Sequence, residues 1–78
     1  MKLIALNLPR DLDEQSLSSL FKEIGALKSC TLVLDKDTGK SKGFGFVEMA
    51  LEHDGETAII KLHGSKVGKN KIRVKPSA

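Results

Sequence analysis

Two stretches of helical periodicity, each set between short strand-like runs, leave this chain few ways to fold. In the first, Leu17, Leu20, Phe21 and Ile24 follow the i, i+3, i+4, i+7 spacing of one helical face. Asp13 stands where an N-cap belongs, with Glu14 in the first turn. Leu12 and Leu17 have the spacing of a hydrophobic staple around that cap. Gly25 is a natural C-terminal stop, so this helix is expected over Asp13 to Ile24. In the second stretch, Leu51, Gly55, Ala58, Ile59 and Leu62 share a stripe. Asp54 and Glu56 lie near its start, Lys61 near its end, and Gly64 closes it. Gly55 costs about 1 kcal/mol against alanine there, unless it serves close packing on a sheet.

The remaining segments read as strands. Leu3 to Leu6 is a short apolar run stopped by Asn7-Leu8-Pro9. Leu27 to Leu34 is rich in apolar and β-branched residues. The polar turn Asp35 to Lys40 leads into the alternating segment Gly43 to Met49, a connection short enough for an antiparallel hairpin. After a turn region at Ser65 to Gly68, Asn70 to Lys75 alternates again, and Pro76 ends it. The order is β-α-β-β-α-β. With one apolar stripe per helix, the economical packing is an α+β, ferredoxin-like sandwich. It is a four-stranded antiparallel sheet with two helices on one face, in a single domain spanning residues 1–78.

Several chemistries are excluded. The single cysteine, Cys30, forbids an internal disulfide and fits a reducing compartment. It reads as a core residue. Lys2 and the short apolar stretch behind it do not make a signal peptide. No run approaches the ~18 apolar residues of a membrane span. A cytoplasmic location without membrane contact is expected. Gly39-Lys40-Ser41 has the ending of a phosphate-binding loop, but Leu34 stands where the motif needs another glycine. Gly43 and Gly45 are followed by Glu48 at the third position of a dinucleotide fingerprint. His53 and His63 have no cysteine near them and read as surface residues, so no metal site is expected. No serine or cysteine has an evident base. Neither catalysis, nor a cofactor, nor a small-molecule substrate is expected.

The open sheet face is then the functional question. Alternation turns Ile72 and Val74 toward the helices, and Lys71, Arg73 and Lys75 outward. Gly45 and Val47 inward put Phe44, Phe46 and Glu48 outside. Leu3 and Ala5 inward leave Lys2, Ile4 and Leu6 outside; Cys30 and Leu32 inward leave Thr31 and Val33. There is no Trp or Tyr and only three Phe, so two of the three aromatic rings stand on this face while Phe21 goes to the core. Charge follows the same geography. The net charge is +3, yet residues 1–60 hold seven basic and ten acidic side chains. Residues 61–78 hold Lys61, Lys66, Lys69, Lys71, Arg73 and Lys75 and no acid. Exposed rings flanked by cations suit a single-stranded nucleic acid, whose bases stack while its phosphates meet the cations. Cover by a C-terminal segment or a dimer partner is the alternative.

Lys42-Gly43-Phe44-Gly45-Phe46-Val47-Glu48-Met49 resembles the octamer signature of the RNA recognition motif (RRM), departing only at Met49, where an aromatic is usual. Met49 points to the helices and can act as core filler. Leu3-Ile4-Ala5-Leu6-Asn7-Leu8 resembles the family's hexamer. The resemblance covers essentially the whole chain. The compact layout from Met1 also looks like the small stand-alone RNA-binding proteins of bacteria. The resemblance implies that the first and third strands lie side by side at the centre of the sheet. It also implies that Phe44 and Phe46 are the octamer stacking positions, and that Ile4 stands where a third stacking aromatic is usual.

The expected function is therefore a single-stranded RNA-binding module. Phe44 and Phe46 are its stack and Ile4 an apolar flank. Lys42, Lys71, Arg73 and Lys75 hold phosphates or base edges, and Lys2 assists. Asn7 is a further candidate that a turn explains equally well. Two rings supply ~2–6 kcal/mol of stacking. Binding should be modest and salt-dependent, with limited sequence selectivity; single-stranded DNA is a further ligand in vitro. The alternative is a protein-protein interaction or homodimerisation module using the apolar open face.

Overall fold

The structure, a computed structural model, describes residues 1–77. Its elements are β1 (Lys2–Leu6), α1 (Glu14–Lys22), β2 (Leu27–Leu34), β3 (Ser41–Met49), α2 (Glu52–Leu62), β4 (Lys66–Val67), β5 (Asn70–Lys71) and β6 (Arg73–Pro76). The main sheet has the order β2-β3-β1-β6 with every neighbouring pair antiparallel. β1 and β3 are thus central. Leu3, Ala5, Val47, Met49 and Val74 of the sheet meet Leu17 and Phe21 of α1 and Ala58 of α2 in one buried core. The ferredoxin-like sandwich is formed as the periodicities imply.

Helix α1 begins where its cap chemistry says. The Asp13 carboxylate accepts a hydrogen bond from the Ser16 amide at 2.7 Å. That bond stabilises the ionised form and holds the Asp13 carboxyl below its ordinary pKa. The helix ends at Lys22, two residues before Ile24. Gly25 is not a left-handed cap, since its φ is not positive. It is a contact point instead: an added Cβ would lie 2.9 Å from the Asp54 Cβ and collide with the rest of that side chain.

Helix α2 begins one residue after Leu51, which occupies the N-cap position with extended backbone. Leu51 is 61% exposed and leaves the core stripe, because a residue outside the helix does not follow its period. Gly55 does serve close packing, but on the N-terminus: an added Cβ would stand 2.6 Å from the Met1 sulfur.

The last expected strand is split. Asn70–Lys71 pairs with Lys66–Val67 in a separate two-stranded ribbon, and only Arg73–Pro76 joins the main sheet. The partner changes at Ile72. Its N–H donates to the Ser65 carbonyl at 2.9 Å, and its carbonyl accepts from the Gly64 N–H at 2.8 Å. Pro76 does not end the strand; it pairs with Leu3, and the Ser77 N–H then donates to the Lys2 carbonyl at 2.8 Å. β6 is an edge strand, where proline removes no bond from the ladder.

Both edges of the sheet are capped by side chains. On β2, the Leu32 N–H donates to the Glu14 Oε2 at 3.0 Å. On β6, the Val74 N–H donates to the His63 Nδ1 at 3.1 Å, so His63 carries a structural bond beyond its surface position. Such caps remove donors that a foreign strand would otherwise pair with.

Candidate nucleic-acid interface

The face opposite the helices is assembled by register. Thr31 of β2, Phe46 of β3, Ile4 of β1 and Lys75 of β6 form one row across all four strands. Lys2 lies opposite Glu48, and Glu48 opposite Ser29, in the row on one side. Leu6 lies opposite Arg73 on the other. Every side chain assigned outward by alternation in β1, β3 and β6 is at least partly exposed, while Leu3, Ala5, Val47, Ile72 and Val74 are buried. Phe46 is 41% exposed and Phe44 half-buried. Their ring centroids are 6.2 Å apart with the planes at 84°, an edge-to-face pair.

Between the two ring-bearing positions, Gly45 faces the helices in tight contact. An added Cβ at Gly45 would lie 2.7 Å from the Thr31 carbonyl and 2.9 Å from the Leu17 Cδ2. The missing side chain lets α1 seat against the strand that carries both phenylalanines. Shallow grooves flank the pair. One is lined by Lys2, Ser29, Phe46, Glu48 and Ser77. The other is lined by Leu6, Asn7, Arg10, Lys42, Phe44 and Asn70.

Arg10 is the residue that sequence reading missed. It follows Pro9 in the loop after β1, and its Nη1 donates to the Ser41 carbonyl at 3.3 Å. The bond holds the guanidinium beside Lys42 and Phe44. The only sequence signal was a cation in the first loop, and nothing local says which strand it reaches.

Two candidates change character. Asn7 has a left-handed backbone, with φ 59°. Its Nδ2 donates to the Lys71 carbonyl at 2.9 Å, and its own carbonyl accepts from the Asn70 Nδ2 at 3.1 Å. The turn explanation of Asn7 therefore has a geometry: its amide ties β1 to the ribbon. Lys71 lies on that ribbon rather than in the sheet, and it is exposed. Cys30 is half-buried rather than buried, because β2 is an edge strand and α1 covers it incompletely. Burial, with the Glu14 charge second, still pushes its thiol pKa up. Among the described residues, no group of three or more His, Cys, Asp or Glu side chains is arranged to hold a metal, and no helix is long and apolar enough to cross a membrane.

The chain is 41% identical over 68 residues to the Schizosaccharomyces pombe "Cleavage and termination factor 1", covering 87% of this chain and 19% of that protein. It is 43% identical over 68 residues to the Spinacia oleracea chloroplastic "28 kDa ribonucleoprotein", covering 87% of this chain and 29% of that protein. It thus spans less than a third of either relative. The solved "SXL-lethal protein/RNA complex" superposes with a TM-score of 0.95 at 34% identity, covering 99% of this chain and 46% of that one. The family model described as "RNA recognition motif" matches residues 6–73. The chain belongs to the RNA recognition motif family.

Proposed function

We propose that this chain is a single-stranded RNA-binding module that works through the open sheet face. The carrying observation is the row Phe46–Ile4–Lys75, which sets a ring, an apolar side chain and a cation side by side next to Phe44. Bases stack on Phe44 and Phe46, and Ile4 packs against a base or ribose. Lys42, Arg73 and Lys75 neutralise phosphates, with Lys2 at one end of the face and Arg10 at the other. Glu48 offers only acceptors and suits the amino group of a base edge better than a phosphate. The RNA seen in the Sxl complex supports this reading. The activity proposed is binding, without catalysis.

The test is a titration of the double variant Phe44→Ala/Phe46→Ala with short single-stranded RNAs. Neither ring is fully buried, so the variant should melt close to the parent temperature. Its affinity should fall by ~2–6 kcal/mol, which removes measurable binding. A folded double variant with unchanged affinity refutes the sheet-face model. Affinity that barely responds to salt would favour an apolar protein contact instead.

A further inference from the structure

Among the described residues of the open face, Glu48 is the one acid. It lies two residues beyond Phe46 on β3, with Lys2 of β1 directly opposite on one side and Ser29 of β2 on the other. Glu48 is half-buried, whereas Lys2 and Ser29 are exposed. Among the described residues none donates to the Glu48 carboxylate, and no buried side-chain oxygen lacks a partner, so its oxygens are open to a ligand.

The groove at this end of the face is lined by Lys2, Ser29, Phe46, Glu48 and Ser77. A phenyl ring, a carboxylate, an ammonium and two hydroxyls thus surround one space. A phosphate does not suit it, because the carboxylate repels it. A base does: its face lies on Phe46 and its edge reaches the row of Lys2 and Glu48. Two residues along a strand span about 7 Å. A fused two-ring purine covers more of that distance than a one-ring pyrimidine.

The hydrogen-bonding edge then chooses among the bases. An ionised carboxylate only accepts, through two oxygens, and an ammonium only donates. The Watson–Crick edge of guanine offers two adjacent donors, N1–H and the N2 amino group, followed by the acceptor O6. That order complements Glu48 beside Lys2. Adenine gives Glu48 one donor and Lys2 one acceptor, leaving a carboxylate oxygen unmet. Uracil sets one N–H between two keto oxygens, and cytosine sets one amino group beside two acceptors. The Ser29 and Ser77 hydroxyls donate or accept as needed and discriminate little.

We infer that this groove is a guanine subsite: the base stacks on Phe46, its N1–H and N2 amino group donate to the two oxygens of Glu48, and the Lys2 ammonium donates to O6. This rests on the RNA-binding reading above and narrows it to one base at one place on the face.

The probes are uridine hexamers in which one residue is replaced by guanosine, inosine or adenosine. Inosine differs from guanosine only by the missing N2 amino group. The guanosine hexamer should bind on the order of tenfold more tightly than the inosine hexamer, because a hydrogen bond to a charged group is lost. The adenosine and all-uridine hexamers should also bind more weakly than the guanosine one. Glu48→Gln keeps one acceptor in place of two and should bring the guanosine-to-inosine ratio to about one. Its affinity for the all-uridine hexamer should be no lower than the parent's, and its melting temperature should stay close to the parent's, since Glu48 is outside the core. A parent ratio near unity, a preference for adenosine, a ratio that survives Glu48→Gln, or an equal loss on every hexamer overturns the guanine assignment and leaves the sheet-face reading standing. Failure of the unaltered protein to bind any hexamer overturns both.

Discussion

Ile4 lies directly opposite Phe46 across the central strand pair, with Lys75 on its other side. The aromatic side chains of this row therefore stop at Phe46, and an aliphatic one takes the next position, on the central strand β1. Ile4 is half-buried on the open face, away from the helices, so a ring there would meet Phe46 and solvent rather than the core. Ile4→Phe should raise affinity for single-stranded RNA by ~1–3 kcal/mol, the worth of one stacked base. Fluorescence titration of both forms at one salt concentration checks it. An unchanged affinity would mean that the RNA path does not cross β1.

Gly45 makes a prediction about stability rather than affinity. Gly45→Ala should destabilise the fold by about 1–3 kcal/mol, the usual range for overpacking. Its new Cβ meets a backbone carbonyl as well as Leu17, so a Leu17→Ala change in the same chain should not restore stability. Denaturant midpoints of the single and double variants decide this. Full rescue would show that the helix contact alone needs the glycine.

Asp13 gives a pH dependence of known sign. Its folded pKa is lowered, chiefly by the Ser16 amide. Its contribution is complete above the unfolded carboxylate range and is lost as pH falls through the lowered folded value. Asn caps about as well as Asp and does not titrate there. Asp13→Asn should therefore match the parent near neutrality and lose less stability between neutral and acid pH. Thermal melts across that range would expose a wrong assignment as two parallel curves.

The capped edges predict a local effect. Glu14→Ala frees the Leu32 amide and His63→Ala frees the Val74 amide. Each substitution should cost about 0.5–1.5 kcal/mol. Amide exchange should quicken at Leu32 and Val74, and the double variant should associate at lower concentration than the parent, because unpaired edges template further strands. Unaltered exchange at both amides would mean that the two side chains are bystanders.

Much of the open sheet face is legible in the amino-acid sequence. A strand's side chains alternate, so the burial of Leu3, Ala5, Val47, Ile72 and Val74 at once assigns Ile4, Phe46, Arg73 and Lys75 to the other side. Leu51 misleads because the helical period extends in the sequence beyond the residue at which the helix begins. Arg10 escapes because its meaning lies in Ser41, which is distant in the chain.

Periodicity and residue chemistry, both local, determined the β-α-β-β-α-β frame, the inward and outward sides of β1, β3 and β6, and which two of three phenylalanines stand on the open face; the short strand Lys66–Val67 lies where they indicate a turn. Tertiary structure alone decided that the last strand changes partner at Ile72, that Asn7 is a joint, that Glu14 and His63 close the sheet edges, and that Lys66 faces Lys71. The physical reason is common to these cases. Alternation reports a side chain's direction relative to its own backbone, whereas a hydrogen-bond partner or an opposed charge is set by which distant segment the core brings alongside.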